Sequence, residues 1–228
     1  MELIRRLLDL LFGADPELRQ IIAVTLRMSS LSTLISTLIG VPLGILLGEN
    51  DFKAKGLVTR VVTTLMGLPP VVAGLIVFLI LSRSGPLGSL RLLYSVTAMV
   101  IAQVVLITPI MISLTSNLVS LRAASINETC AGLGINGSKR LWYTLLECRI
   151  PFISTMLAGF GRAIAEVGAV QMVGGNIQFK TRVMTTAIMM QTNMGQFEFA
   201  IALGVVLLML SFVINSLVYR VQEWDNRD

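Results

Sequence analysis

The sequence contains no histidine and carries little charge. Histidine is the commonest metal ligand and the usual general base near neutral pH, so its absence argues against a metal enzyme and an intramembrane serine–histidine protease. Charged residues make up 14% of the 228 residues, and hydrophobic residues make up 54%. An average soluble protein has about 25% charged residues. The composition therefore indicates a membrane protein, in which we expect no catalytic residue and no metal site.

The sequence also argues against an ATP-binding site and against a nucleic-acid-binding surface. The motif G-x-x-x-x-G-K-[ST] occurs nowhere, so this chain is not expected to bind and hydrolyse ATP through a P-loop. The net charge of +5 would suggest nucleic acid in a soluble protein. Here, however, the basic residues lie beside hydrophobic segments, where the positive-inside bias and anionic lipid account for them. We expect membrane lipid, and no nucleic acid, as a partner.

Long uncharged runs predict the membrane spans. About 20 residues cross the hydrocarbon core as a helix. Four windows of that length contain no Asp, Glu, Lys or Arg: Met28–Gly48, Val61–Ser82, Leu92–Asn117 and Phe199–Tyr219. A fifth window, Pro151–Val173, is interrupted only by Arg162 and Glu166. The sequence therefore predicts an all-α membrane protein with about five transmembrane helices.

The remaining segments divide the chain. Residues 1–19 have a broad apolar helical face and predict an amphipathic helix in the membrane interface. Residues 20–222 form the predicted membrane domain, and residues 223–228 a cytoplasmic tail. Within the domain, Glu49–Thr59 is a predicted short hydrophilic loop, and residues 118–150 form a longer charged loop on the same, cytoplasmic side.

The longer loop has a distinctive order of residues. Glu128, Thr129, Cys130 and Ala131 are followed by Gly134, and then by an amphipathic run that ends at Pro151. Gly134 can adopt a positive φ or allow close backbone approach, so the spacing predicts a helix, a glycine turn and a second helix. An exposed acid at Glu128 could pair with a basic group of a partner. An ordinary cytosolic helical hairpin is the alternative.

The segment Glu128–Pro151 resembles the EAA loop of ABC-transporter permeases, the cytoplasmic element that docks on the ATPase subunit. L-P-P-V-V-A-G-L, from Leu68, and G-R-A-I-A-E-V-G-A, from Gly161, resemble the molybdate, tungstate and sulfate branch of these permeases. The run from Gly85 to Gln103 resembles the tungstate members in particular. The resemblance implies a type I importer permease fold, with Glu128, Thr129, Cys130, Ala131 and Gly134 coupling to the ATPase.

Two places in the spans are candidates for the translocation path. Pro69 and Pro70 fall within the second predicted span, where they should kink the helix beside a cavity. Arg162 lies roughly 16 Å into a core about 30 Å thick, four residues before Glu166. These two can form a packed ion pair with no contact to substrate, or they can line the cavity near a gate. Gly168 belongs to the same motif and is included in the predicted path.

The resemblance also implies the assembly. It predicts a permease homodimer with two ABC ATPase subunits, which hold the ATP and magnesium, and an external solute-binding protein. No cofactor is expected on this chain. The complex would lie in a bacterial or archaeal cell (inner) membrane and import tungstate, with molybdate or sulfate as alternatives. A secondary transporter remains a further alternative, although Arg162 and Glu166 are the only candidate coupling residues in the spans.

Overall fold

A computed structural model of the protein describes residues 16–135 and 138–225. Helices dominate this part of the chain, as predicted, and it contains no strand. A 3₁₀ turn lies at Gly88–Leu90. The α-helices are α1 Pro16–Glu49, α2 Lys55–Met66, α3 Pro70–Leu81, α4 Val96–Gly132, α5 Ser138–Glu147, α6 Arg149–Ile164, α7 Gly168–Gly174, α8 Met184–Asn193 and α9 Phe197–Asp225.

The ends of the chain fall partly outside the described residues. The predicted interface helix, 1–19, lies outside them up to residue 15, and residues 16–19 form the first turn of α1. Of the predicted tail, 223–228, residues 223–225 are the last residues of α9 and residues 226–228 lie outside.

Three helices are long and apolar enough to cross a membrane by themselves: α1, α4 and the part of α9 from Phe197 to Arg220. Two further segments qualify only as pairs of helices, α2 with α3 and α6 with α7. If each pair is one span, the described chain has up to five crossings, the number predicted from the uncharged windows. The chain is therefore a multi-pass membrane protein.

The bend predicted at Pro69 and Pro70 is present, and it is a complete break between two helices. The chain bends by 96° between α2 and α3, each of which has 12 residues and measures about 18 Å. Pro69 is the N-cap of α3 and Pro70 is its first residue. Proline is favoured at this position because its missing N–H would have no intrahelical partner there. The two prolines therefore start a new helix, and α2 remains a separate element with none of its residues buried.

The predicted charged loop begins with a helix. A helix before the glycine turn was predicted within residues 118–150, and α4 continues without a break from the third predicted span to Gly132. Residues 118–131 include no glycine or proline, so nothing in this stretch ends the helix until Gly132 and Gly134. The first half of the predicted loop is therefore an extension of the third predicted span.

The structure divides into two compact units. The first comprises residues 16–32, 69–103 and 161–214. Its core contains apolar side chains of α1, α8 and α9: Leu18, Ile21, Met184, Ala187 and Leu203. In the same unit α3 and α7 approach closely, because a Cβ on Gly74 would lie 2.7 Å from Cα of Ala169. Glycine at this position permits that approach.

The second unit comprises residues 33–68, 104–160 and 215–225. Here α1 packs on α4 through Gly40, Gly44 and Gly48, which lie one helical turn apart. A Cβ on Gly44 would lie 2.5 Å from Cβ of Thr115, and one on Gly48 would lie 3.0 Å from Cβ of Val119. Small residues let two backbones pack closely in a membrane. This glycine seam fixes the end of α1 against the extension of α4.

Candidate functional site

The turn after α4 has the geometry that its sequence predicts. Gly134 has a φ of 65°, in the left-handed region. The Ile135 N–H donates to the Cys130 carbonyl at 2.8 Å, and the Gly134 N–H donates to the Ala131 carbonyl at 3.2 Å. These two bonds form a Schellman motif, in which glycine is favoured because a Cβ is strained at that φ. The placement of Gly134 at the turn is confirmed.

The five residues predicted to couple to an ATPase lie at this end of α4. Glu128, Thr129, Ala131 and Gly134 are exposed. Cys130 differs, because its side chain is only 2% exposed and its thiol is free. Glu128 lies within α4 rather than in the turn, so its carboxylate projects from a rigid element. The arrangement offers a partner an exposed helix end with one carboxylate.

Helix α5 adds an apolar surface to the same region. Trp142 is 64% exposed and Leu146, one turn later, is 49% exposed. Together with Ile135, Lys139 and Tyr143, they line an open depression of about 420 Å³. Large exposed apolar side chains next to charged ones are typical of a surface that binds another protein.

The opposite side of α5 contacts Glu49, a residue that was predicted to lie in a loop. Glu49 is the last residue of α1, and its side chain is 5% exposed. One carboxylate oxygen, Oε2, lies 3.1 Å from Nε of Arg140, and the other accepts a hydrogen bond from the Thr144 hydroxyl. Glu49 and Thr144 are 95 residues apart. The sequence signals only that an acid follows an uncharged run, and it does not reveal this partner.

The second candidate region is the break between α6 and α7, where the chain bends by 60°. Arg162 Nη1 lies 3.1 Å from Glu166 Oε2, so the predicted ion pair is confirmed. Glu166, however, lies in the break and not on α6. Its side chain is 4% exposed, whereas that of Arg162 is 43% exposed. Glu166 Oε1 also accepts a hydrogen bond from the Ala169 N–H at 3.3 Å, at the start of α7.

Other side chains satisfy the backbone at this break. Gln103, which is fully buried, donates from Nε2 to the Ala163 carbonyl at 2.7 Å. The Ser32 hydroxyl donates to Oε1 of Gln103 at 2.5 Å. The Thr185 hydroxyl donates to the Glu166 carbonyl at 2.8 Å. Carbonyls freed by a broken helix need such partners inside a membrane. Gln103 is a functional candidate that the sequence marks only as a polar residue in an apolar run.

The predicted path residues Pro70 and Gly168 lie close together. A Cβ on Gly168 would lie 2.8 Å from Cγ2 of Val71 and 3.6 Å from Cβ of Pro70. The starts of α3 and α7 therefore pack against each other, with Pro69 one residue before α3 and Glu166 two residues before α7. The structure thus brings the ion pair and the proline-started helix into one region. Among residues 16–135 and 138–225, no group of three or more Cys, Asp or Glu side chains is arranged to hold a metal ion.

Residues 40–224 match the family described as "binding-protein-dependent transport system inner membrane component". The chain belongs to this family. It is therefore a permease subunit of an ABC transport system, as the resemblance implied, and not itself an enzyme. Membership implies that the permease works with an ATPase subunit and a solute-binding protein.

Several relatives are similar to the permease over nearly its full length. A tungstate uptake system permease protein TupB from Peptoclostridium acidaminophilum is 42% identical over 96% of each chain. A probable anion ABC transporter permease protein from Haloferax volcanii is 38% identical over 89% of this chain and 90% of its own. The TupB protein of Campylobacter jejuni is 37% identical over 96% of this chain and 92% of its own. Permeases named for molybdenum or sulfate transport are more distant, at 24% to 30% identity.

Proposed function

We propose that the permease forms the translocation path of an ATP-driven importer of tungstate. The observation that carries this proposal is the 42% identity over 96% of the chain to a tungstate uptake permease. The lower identity to permeases named for molybdenum or sulfate transport supports tungstate over those anions. The importer would lie in a bacterial or archaeal cell (inner) membrane, with the solute-binding protein on the outside.

The substrate is tested by uptake into vesicles that contain the permease, its ATPase and its binding protein. Tungstate, molybdate and sulfate compete at equal concentration, and the accumulated metal or sulfur is counted by mass spectrometry. We expect ATP-dependent accumulation of tungsten alone. Equal accumulation of tungsten and molybdenum would replace the proposal with a shared oxyanion importer. The absence of ATP-dependent uptake for all three would reject the proposed substrate class.

The ATPase is proposed to dock at the end of α4 and on the exposed side of α5. The exposed Glu128 can pair with a basic group of the ATPase, and the depression around Trp142 and Leu146 can receive an apolar side chain. ATP and magnesium would bind to the ATPase and not to this chain. Closure of two ATPase subunits would then move the two α5 helices of a permease dimer toward each other.

Charge reversal tests the docking surface. In Glu128→Lys, repulsion from the basic partner group should reduce the amount of ATPase that co-purifies with the permease. Glu223→Lys is a matched control, because Glu223 is also an exposed acid on a helix and lies outside the docking surface. Docking at this end of α4 would be wrong if Glu128→Lys and Glu223→Lys retained the same stoichiometric amount of ATPase.

The translocation path is proposed to pass the break between α6 and α7, at the interface of a permease homodimer. Arg162 supports this placement, because 43% of its side chain remains exposed although it pairs with Glu166. A cation that is exposed within a membrane protein usually faces water or a substrate pathway. A partly neutralised guanidinium would attract an oxyanion without holding it tightly. A fully packed pair without contact to substrate is the competing role.

Helix α9 offers a surface at which the proposed homodimer could form. The apolar window of this helix is only 22% buried, and its exposed residues include Leu208, Met209 and Phe212. Lipid or a second copy of the chain must cover such a surface. Native mass spectrometry of the purified complex tests this assignment. We expect two permease chains and two ATPase chains per complex.

A further inference from the structure

Glu49 is unusual as the last residue of a helix. The C-terminal end of a helix carries a partial negative charge, so a carboxylate is disfavoured there. Glu49 is also not needed to end α1, because both the N–H and the Nδ2 of Asn50 donate to the Leu46 carbonyl, at 3.3 Å and 2.9 Å. A buried acid at this position therefore needs another explanation.

The explanation lies in the two groups of α5 that Glu49 contacts. Arg140 and Thr144 are one turn apart and contact different oxygens of the same carboxylate. The Thr144 side chain is fully buried and that of Arg140 is 28% exposed, so solvent screens this contact weakly. The positive charge of Arg140 also offsets the unfavourable position of Glu49 at the end of α1. The three side chains thus form one compact polar contact between α1 and α5, here named the α1–α5 contact.

The two faces of α5 have different environments. One face is joined to α1 through the α1–α5 contact, while Trp142 and Leu146 are exposed elsewhere on the helix. The residue before Glu49 is Gly48, which packs against Val119 of α4. When α5 moves, the buried side chains of the α1–α5 contact would therefore move the end of α1 with it. The movement would not have to be transmitted only along the chain, through the turn after α4.

We propose that Glu49 is a positioning residue that couples α5 to the first membrane span. This inference rests on the proposed docking of the ATPase on α5. When the ATPase moves α5, the α1–α5 contact carries the movement to α1. Glu49 itself contacts neither the ATPase nor the transported anion in this role, so its replacement should separate ATP hydrolysis from transport.

The test uses the full complex of permease, ATPase and binding protein in vesicles. Glu49→Gln removes the negative charge while preserving the shape of the side chain. We expect stoichiometric ATPase and continued ATP hydrolysis, but about a tenfold fall in anion transported per ATP, a factor typical of coupling between two sites. Asp51→Asn is the matched control, because Asp51 lies two residues after Glu49, its side chain is 96% exposed, and it pairs with Lys55, four residues further along the chain. It should leave transport per ATP unchanged.

A charge exchange separates positioning from a general loss of stability. Glu49→Arg combined with Arg140→Glu restores opposite charges at the two positions and should recover transport per ATP. If Glu49→Gln does not reach the membrane, Thr144→Val provides the same test, because it removes one donor and retains the ion pair. Thr144→Val should then lower transport per ATP by a smaller factor.

The outcomes distinguish this inference from the docking proposal. Unchanged transport per ATP in Glu49→Gln, or in Thr144→Val where the first variant is not recovered, would overturn the role of Glu49 while leaving docking intact. A fall that the charge exchange does not restore would also overturn it. If Glu128→Lys did not reduce the amount of ATPase that co-purifies with the permease, the docking surface itself would instead be rejected.

Discussion

The glycine seam between α1 and α4 allows a quantitative prediction. Gly44 lies in the middle of the seam, and its replacement by alanine adds a single methyl group. That Cβ would lie 2.5 Å from Cβ of Thr115 and 2.8 Å from the carbonyl oxygen of Ile112. One neighbour is a backbone atom and the other is the rigid base of a β-branched side chain. Neither can rotate away, so the helices must separate.

The expected loss of stability follows from these distances. Carbon atoms attract each other best at about 3.5 to 4.0 Å, so the methyl group requires a local separation of roughly 1 Å. Inserting a methylene into a well-packed core costs about 1 to 3 kcal/mol. Alanine also favours a helix over glycine by about 1 kcal/mol, which acts in the opposite direction. A control that shares this helix preference is therefore necessary.

Gly204→Ala is that control. Gly204 lies in α9, and an added Cβ there has no heavy atom within 4 Å. Equilibrium unfolding in mixed detergent micelles, followed by the fluorescence of the two tryptophans, measures both variants. We expect Gly44→Ala to be less stable than Gly204→Ala by about 1 to 3 kcal/mol. Equal stability, or a more stable Gly44→Ala, would refute the close packing of α1 on α4.

Three further predictions concern the site. Arg162→Ala should lower anion uptake several-fold while the ATPase still co-purifies; unchanged uptake would favour the packed ion pair. Gln103→Leu should destabilise the chain by about 1 to 3 kcal/mol in the same unfolding assay, because the Ala163 carbonyl loses its 2.7 Å bond from Gln103 and keeps only the 3.4 Å bond from the Glu166 N–H; an unchanged stability would contradict the Gln103 bond. Gly134→Ala should cost about 1 to 2 kcal/mol because its φ is positive, whereas Gly132→Ala, at a helical position with open space, should not; equal effects would contradict the left-handed turn.

Much of the architecture follows from local features of the sequence. Uncharged windows of about 20 residues predict the long helices, because hydrocarbon excludes charge over that length. The pairing of Arg162 with Glu166 follows from their spacing and from the cost of an isolated charge. The turn at Gly134 follows from the conformational freedom of glycine.

Some details could not be predicted, because one residue type can have two roles or because the partner lies far along the chain. Proline can kink a helix or begin one, and the sequence around Pro69 and Pro70 does not separate these possibilities. The uncharged run marks a membrane span, but charge does not end a helix, so the continuation of α4 to Gly132 could not be predicted from it. Contacts such as that of Glu49 with Thr144 join residues 95 apart, and no local pattern encodes them. The role of Gln103 depends on a carbonyl freed 60 residues later.

The unbroken course of α4 has a mechanical consequence. From Leu118 to Gly132 the helix continues for about 22 Å beyond the uncharged run that predicted its membrane span. Over this length, a tilt of the helix by about 5° moves its end at Gly132 by about 2 Å. A force applied at the turn around Gly134 is therefore transmitted to the membrane span through continuous helix. Engineering a joint, by placing two adjacent glycines near residue 120, would allow the far end to move while the membrane part stays at rest.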